Sequence, residues 1–317
     1  MEKKKILLSI QEMDESFQHM VDTLSKYAIV DVVDLDNYEL TDYDIFIGKK
    51  LSKDKLEKAN KLKYVFAYKT GVDDFPLEEL DKKNIILANT HADSTIIAEY
   101  SIGLSIVLVN RIHEFDLNLR KGIWYDKDNM YWKSFFDMKI GLFGYGHIGK
   151  AIHHILHKNR IETYTIDRGH QYENIKLVKS IEELVTTCDI IILSVPKIKE
   201  TDNLFNKDIF ELMPHKYIVN VGRSNVINQK DLYEYLKSEY LGGAAIDTWD
   251  KKPKDKDTKL MPSLYPFEEL DNIILSPHAA MRVSKGHQRY IEDVTNNVVE
   301  LLLNNEVKNI VSLKKGY

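Results

Sequence analysis

The first candidate for chemistry is a group of glycines at the spacing that phosphate binding requires. Gly144, Gly146 and Gly149 form a G-x-G-x-x-G pattern between the apolar run 140–143 and a segment with helical spacing. Glycine at these positions permits a tight turn, a close approach of the backbone to a pyrophosphate, and close packing of a helix whose N-terminus favours anions. The sequence therefore predicts a dinucleotide-binding βαβ unit, with a glycine turn of some other α/β fold as the alternative.

An acidic residue in the right place supports this prediction. Asp167 ends the next apolar run, about 20 residues after the glycines, where a carboxylate accepts both ribose hydroxyls of NAD. Arg168 follows at once and is an alternative ligand for a 2′-phosphate. The pattern favours NAD over NADP.

Three polar side chains follow apolar runs further along the chain. Arg223, Asp247 and His278 each stand at the end of a predicted strand. An arginine pairs with a carboxylate in bidentate fashion, and a histidine of near-neutral pKa transfers protons. The carboxyl ends of parallel strands share one edge of a sheet, so we expect these residues near the dinucleotide. The alternatives are a surface charge for Arg223 and a capping role for His278.

A second glycine turn follows an earlier predicted strand. The backbone N–H groups of Thr70, Gly71 and Val72 are arranged to cradle a small anion. From these residues alone, an ordinary glycine turn is the favoured interpretation.

Three histidines on the helix after the glycine loop are predicted to lie on the surface. His153 and His157 have the spacing of metal ligands, and His154 lies between them, but no third ligand is apparent. The sequence therefore predicts no metal site.

The elements that position these residues alternate between strands and helices. Residues 6–90 alternate in this way, which is typical of a parallel sheet wrapped by helices. The helix that begins near Ser94 is so apolar that we expect it to be buried between domains or subunits. Trp124 and Trp132 are predicted to mark a packed loop before the glycine strand, and a long amphipathic helix is predicted over 283–303.

Length and composition limit the number of domains, the partners and the cellular location that we expect. The chain has 317 residues, a net charge of −5 and one cysteine, Cys188, which is expected to be a small buried side chain. The length suits two domains, and the mild acidity gives no reason to expect nucleic acid. No apolar stretch has the length of a membrane span, and no signal peptide is apparent. A reducing cytoplasmic location is therefore expected.

Taken in order, these motifs resemble the D-isomer-specific 2-hydroxyacid dehydrogenases over nearly the whole chain. The resemblance rests on segments that recur in a fixed order: Gly71–Asp73, Ala98-Glu99, Gly144–Gly149 with Asp167, Val195-Pro196, Asn220–Arg223, Ala245–Asp247 and Ser276–His278. It implies an α/β fold of two doubly wound parallel-sheet domains. A Rossmann-type coenzyme domain, 95–283, would be inserted into a flavodoxin-like substrate domain formed by 1–94 and 284–317.

The resemblance also implies an activity and a set of site residues. Arg223 would hold the carboxylate and carbonyl of a small 2-oxo or 2-hydroxy acid, His278 would be the acid/base, and Asp247 would contact the nicotinamide carboxamide. It reverses the interpretation of the 70–72 turn, whose backbone would bind the substrate carboxylate. A homodimer through the coenzyme domain is also implied. The implied cofactor contacts are Gly144, Tyr145, Gly146, His147, Ile148, Gly149, Asp167, Arg168, Val195, Pro196, Val221, Gly222 and Asp247.

One position departs from the family pattern. Lys252 stands where the family has the glutamate that partners the catalytic histidine, and Asp250 is two positions away. A lysine there would disfavour the imidazolium form of His278, which the glutamate stabilises. Lys252 therefore raises a second hypothesis, an NAD-binding protein with weakened catalysis that acts as a redox-responsive partner.

Overall fold

The computed structural model describes residues 3–34, 38–124, 131–169, 172–251, 253, 255, 257–284 and 286–314. The chain divides into two compact units. Unit 1 comprises Met1–Asp93 and Val283–Tyr317, and unit 2 comprises Ser94–Arg282. Each unit is built around its own parallel sheet, which confirms the predicted α/β fold.

The strands are short and mostly buried. In chain order they are β1 (Lys5–Ile10), β2 (Ile29–Asp34), β3 (Ile45–Gly48), β4 (Tyr64–Ala67), β5 (Ile86–Ala88), β6 (Ile140–Phe143), β7 (Thr163–Ile166), β8 (Lys176–Val178), β9 (Ile190–Leu193), β10 (Tyr217–Asn220), β11 (Gly243–Ile246) and β12 (Ile273–Leu275).

The α-helices alternate with these strands. In chain order they are α1 (Glu15–Leu24), α2 (Lys53–Glu57), α3 (Leu77–Lys82), α4 (Ser94–Val109), α5 (Ile112–Arg120), α6 (His147–Lys158), α7 (Ile181–Thr187), α8 (Lys207–Phe210), α9 (Gln229–Lys237) and α10 (Gly286–Asn304).

The sheet of unit 1 has five strands in the order β2-β1-β3-β4-β5, all paired in parallel. This is the flavodoxin-like order. Alternate residues of β1 pack on opposite faces, with Ile6 and Leu8 in one apolar cluster and Leu7 in the other. Helices therefore cover both faces, and α1 and α10 pack together on one of them.

The sheet of unit 2 has seven strands in the order β12-β11-β10-β9-β6-β7-β8. Counted from β6, this is the Rossmann order 3-2-1-4-5-6 with one more parallel strand at the edge. Strand β8 was not predicted, because it has only three residues and two of them are exposed. Apolar clusters lie on both faces, and Cys188 is buried in one of them as predicted.

Helix α4 packs within unit 2, against α6 and the strands β10, β11 and β12. Eight of its 16 residues are buried by these contacts. Burial of its remaining apolar surface between domains or subunits stays a prediction. No single helix within the described ranges is long and apolar enough to cross a membrane, and α4 with α5 passes that test only as a pair bent by 60°.

The two tryptophans before the glycine strand do not pack as predicted. Trp124 is 74% exposed and Trp132 is 56% exposed. They flank residues 125–130, which lie outside the described part of the chain. Both side chains contribute to a solvent-facing apolar surface rather than to the core.

Candidate functional site

The predicted cofactor and catalytic residues of unit 2 share the carboxyl edge of its sheet. Parallel strands β7, β6, β9, β10, β11 and β12 lie side by side in that order. Asp167 follows β7, the glycine loop follows β6, and Arg223 lies just past β10. The order of strands reverses between β6 and β9, and ligands of open α/β sheets bind at such a switch point. The site residues therefore form one continuous row.

The glycine loop has the geometry of a phosphate cradle. Gly144 has a φ of +109°, in the region that favours glycine. A Cβ on Gly149 would stand 2.1 Å from the carbonyl oxygen of Gly144, so α6 can start this close to the strand only with glycine there. A Cβ on Gly146, at the N-cap of α6, would meet nothing within 4 Å. The open space at this helix N-terminus fits the pyrophosphate of a dinucleotide.

Asp167 and Arg168 are both exposed after β7, where the adenosine ribose would lie. The Asp167 Oδ1 accepts a hydrogen bond from the Gly169 N–H at 2.8 Å, and the Arg168 N–H donates to the Tyr172 hydroxyl at 3.2 Å. The Asp167 carboxylate is thereby fixed at the tip of the strand with its exposed side toward solvent. This arrangement fits a hydrogen bond to ribose hydroxyls.

His153 is buried, which corrects the prediction that it lies on the surface. Only 7% of it is exposed, because it points from α6 toward β7. Its Nε2 donates to the Glu173 carbonyl at 3.1 Å, and its Nδ1 lies 2.6 Å from the Thr163 hydroxyl. Burial lowers the pKa of His153. Through these two contacts the imidazole links α6 to β7 and to the loop that carries Asp167. His154 and His157 are exposed, as predicted.

The loops after β6, β9 and β10 approach one another closely. The Ser194 hydroxyl donates to the Gly144 carbonyl at 3.2 Å. A Cβ on Gly222 would stand 2.9 Å from the Val195 carbonyl oxygen. Pro196 follows Val195, and Val221 precedes Gly222, so these predicted cofactor positions are neighbours in space as well as in the row of strands.

Asn220 shapes the turn that presents Arg223. Its Oδ1 accepts from the Gly222 N–H and its Nδ2 donates to the Arg223 carbonyl, both at 3.0 Å. The half-buried guanidinium of Arg223 donates to the Gly222 carbonyl at 3.2 Å. Asn220 therefore fixes this turn, a role that the sequence analysis did not assign to it although it named the segment Asn220–Arg223. Asparagine close to a glycine at the end of a strand is a turn signal.

Asp247 holds the turn that carries His278. Asp247 is 1% exposed, and its carboxylate accepts from the Ala279 N–H at 2.7 Å, from the Ala280 N–H at 3.2 Å and from the Ser276 hydroxyl. His278 has a φ of +56°, a left-handed conformation that costs about 1–2 kcal/mol outside glycine. The buried carboxylate stabilises the turn. Its contact with a nicotinamide stays a prediction.

Two aromatic side chains complete this arrangement. The Trp249 Nε1–H donates to the Ser276 carbonyl, and the Tyr100 hydroxyl hydrogen-bonds the Ser276 hydroxyl, both at 2.9 Å. Tyr100 lies on α4, 176 positions from its partner in sequence. No local signal in the sequence indicates such a contact.

In unit 1, the turn of Thr70, Gly71 and Val72 lies at the carboxyl edge of the five-stranded sheet. The Thr70 hydroxyl donates toward the Thr90 carbonyl at 2.9 Å and the buried Asp93 carboxylate at 3.1 Å. The Asn89 amide donates to the Thr70 carbonyl at 2.7 Å. These contacts fix the backbone of the turn, as an anion-binding loop requires.

The sequence also predicts that no metal site is present and that Lys252 replaces a catalytic glutamate. Among the residues that the structure describes, no group of three or more His, Cys, Asp or Glu side chains is arranged to hold a metal ion. Lys252 lies outside the described residues, whereas Asp250 is described and exposed.

This strand order and this glycine loop together define a dinucleotide-binding protein of the Rossmann class. The family model for the NAD binding domain of D-isomer specific 2-hydroxyacid dehydrogenases matches residues 102–280. The chain belongs to this family, whose members are NAD(P)-dependent oxidoreductases of 2-hydroxy acids.

Individual proteins agree with this assignment. The chain is 28% identical to a glyoxylate reductase from Thermofilum pendens, over 84% of this chain and 82% of that protein. It is 27% identical to a D-3-phosphoglycerate dehydrogenase from Methanocaldococcus jannaschii, over 87% of this chain but 53% of that longer protein. The NAD-complexed structure of a D-isomer specific 2-hydroxyacid dehydrogenase from Lactobacillus delbrueckii shares the fold, with a TM-score of 0.80, 18% identity, and coverage of 98% of this chain and 100% of that one.

Proposed function

We propose that the protein is an NADH-dependent reductase that converts a small 2-oxo acid into its D-2-hydroxy acid and catalyses the reverse reaction. The observation that carries this proposal is the His278 turn. A proton-transferring side chain is held in a left-handed backbone by the buried Asp247, on the same sheet edge as the glycine loop. A left-handed conformation that the surrounding contacts hold in place supports a functional role when the residue can transfer protons.

Each side chain has a defined task in this reaction. The bound dinucleotide supplies the hydride for reduction. The Arg223 guanidinium pairs with the substrate carboxylate and polarises the carbonyl oxygen, where negative charge develops. His278, as imidazolium, gives a proton to that oxygen, and in oxidation it takes the proton back. The backbone N–H groups of residues 70–72 bind the carboxylate.

We propose that NADH is preferred over NADPH. Asp167 would hydrogen-bond the ribose hydroxyls and repel a 2′-phosphate. Arg168, beside it, is the residue that would favour NADPH. Both side chains are exposed after β7, so the balance between them is measurable as the ratio of NADH to NADPH affinities.

We propose a homodimer through unit 2. Support comes from α5, which has no buried residue, and from the exposed apolar side chains around it. These side chains are Ile112, Phe115, Leu117, Leu119, Ile123, Trp124, Trp132 and Phe136. Such a patch on a protein surface marks an interaction site. Sedimentation equilibrium of the wild type and of Leu117→Asp tests this: a dimer that the substitution dissociates supports it, and a monomeric wild type contradicts it.

Two further predictions remain proposals. A reducing cytoplasmic location rests on the single, buried Cys188. The second hypothesis, an NAD-binding protein with weakened catalysis, rests on Lys252 alone. A lysine facing His278 would disfavour the imidazolium and move the fall in reductase rate to lower pH.

The test of the proposed function is a panel of 2-oxo acids assayed by loss of NADH absorbance. We expect turnover of at least one member, and loss of turnover in Arg223→Ala with NADH binding retained. NADH binding without turnover of any member would favour the second hypothesis. Failure to bind either dinucleotide would contradict both.

A further inference from the structure

A group of basic side chains lies at the carboxyl edge of the five-stranded sheet in unit 1. Lys49 follows β3 and Lys69 follows β4, and these two strands are parallel neighbours. The loops that carry them are joined, since the Leu51 N–H donates to the Asp74 carbonyl at 3.1 Å. Both lysines therefore stand beside the turn that begins at Thr70.

The basic groups gather around one aromatic ring. The Lys49 Nζ lies 5.2 Å from the centroid of the Tyr68 ring, and the His287 ring centroid lies 6.4 Å from the same ring. Burial and the positive charge of Lys69 lower the pKa of Lys49. Burial and the charge of Lys49 lower the pKa of His287. Lys69, Lys49 and His287 can each carry a positive charge, and they lie close enough together for the charge of one to lower the pKa of the next.

The acidic groups nearby offset only part of this charge. Asp74 pairs with Lys69, and Asp14 lies 3.5 Å from His287. The Asp74 side chain is 65% exposed and the Asp14 side chain is 47% exposed. Among the described residues, no carboxylate lies within 4 Å of the Lys49 Nζ, so Lys49 is the cation that an incoming anion would neutralise. Like charges held together against their mutual repulsion are characteristic of binding sites.

We propose that this cluster binds a second negatively charged group of the substrate. The substrate is then a 2-oxo acid that carries a further carboxylate or a phosphate. This inference rests on the proposed function, in which the neighbouring turn 70–72 binds the first carboxylate. Lys69 directly precedes that turn, and consecutive Cα atoms are about 3.8 Å apart, so a short two-ended acid reaches both places. Lys49 and Lys69 select for the second charge.

The experiment compares matched pairs of 2-oxo acids in steady-state kinetics with NADH. Pyruvate is paired with oxaloacetate and 2-oxopentanoate with 2-oxoglutarate, while 3-phosphooxypyruvate distinguishes phosphate from carboxylate. We expect the dianionic member to be preferred. Lys49→Met is expected to lower kcat/KM for dianionic substrates by about tenfold to a hundredfold, the loss of one charged hydrogen bond, and for monoanionic substrates by less than about twofold.

The control variant is Lys58→Met, which removes another exposed lysine of unit 1. Lys58 pairs with Glu39 at 3.3 Å and precedes β4, at the opposite end of that strand from Lys69. It is expected to behave as the wild type with every substrate. A preference that survives Lys49→Met, or equal losses on both members of a pair, would overturn the inference while the proposed function stands.

If no 2-oxo acid is reduced, the proposed function fails and a binding measurement decides about the cluster. Malonate and inorganic phosphate are then used as probes in thermal unfolding, with acetate as the monoanionic reference. A rise of Tm with malonate or phosphate that Lys49→Met abolishes would support a site for multiply charged anions. Equal shifts in both proteins, or no shift, would overturn it.

Discussion

The two parallel sheets of this chain follow the same βαβ plan but differ in what comes after the strand that leads to their candidate binding loop. After β6, α6 begins within four residues and runs for 12, with Gly146 open at its N-cap. After β4, the next helix is α3, which begins at Leu77 and has six residues. Only the first arrangement offers a long helix dipole to a pyrophosphate.

The loop after β4 is proposed to bind an anion by other means. Its backbone is fixed by the Thr70 hydroxyl and by Asn89, and lysines stand beside it. Unit 2 instead places glycines and the exposed Asp167 carboxylate where the pyrophosphate and adenosine ribose of the dinucleotide would lie. In the proposed function these two loops bind different ligands because their residues differ, so a substitution in the turn 70–72 should leave dinucleotide binding unchanged, and a substitution of Asp167 should leave binding of the substrate carboxylate unchanged.

The largest effect is expected at His278. His278→Gln removes the proton donor but leaves the turn and its contacts with Asp247 available, so kcat for reduction should fall by about 10²–10⁴-fold. The NADH dissociation constant, measured by fluorescence titration, should stay within about twofold. A variant that keeps full kcat would exclude His278 as the acid.

A smaller effect is expected where α6 meets the glycine loop. Gly149→Ala places a methyl group 2.1 Å from the Gly144 carbonyl oxygen, so the helix must shift. Overpacking of this kind costs about 1–3 kcal/mol of unfolding free energy and should weaken NADH binding. The matched control is Gly103→Ala in α4, where a Cβ meets nothing within 4 Å. That variant should be more stable by about 0.5–1 kcal/mol. Equal unfolding free energies of the two variants in urea would contradict the close approach of Gly149 to the Gly144 carbonyl oxygen.

The smallest effect concerns the buried His153. Because its folded-state pKa is lowered, protonation favours the unfolded chain, and the stability it contributes is present above about pH 6.5 and declines as the pH falls below that value. His157, His154, Tyr145 and Glu173 surround it. His153→Gln should therefore show a weaker loss of stability between pH 7.5 and 5.5 in urea unfolding. If the wild type and His153→Gln lost the same unfolding free energy over this pH range, His153 would not be a cause of the pH dependence.

The glycine loop and the strand ends were predictable because their signals are local. Buried parallel strands are short apolar runs, so the residue after each run falls on the sheet edge, as Arg223 and His278 do. The contacts that hold those residues were not predictable. Asp247 reaches Ala280 33 positions away, and Tyr100 reaches Ser276 across 176 positions.

The predictions of burial that were wrong also depended on contacts between residues that are distant in sequence. His153 follows the buried Ile152 on α6, and only the fold shows that β7 supplies the Thr163 partner for its ring. Trp124 and Trp132 are large apolar side chains, for which burial was the natural expectation, yet both are exposed. A sequence gives the propensity for burial, whereas the neighbouring elements decide whether a partner is present.

The division of tasks between the two sheets is tested most directly by one pair of variants measured in two ways. Asp167→Ala alters unit 2, and Thr70→Val removes the hydroxyl that fixes the turn of unit 1. For each we would measure the NADH dissociation constant and the KM for the best 2-oxo acid at saturating NADH. The account predicts that Asp167→Ala weakens NADH binding by about tenfold and leaves the KM unchanged, while Thr70→Val raises the KM severalfold and leaves NADH binding unchanged. If each variant changed both constants equally, or if Thr70→Val changed only NADH binding, the assignment of NADH to Asp167 and of the substrate carboxylate to the turn 70–72 would be contradicted.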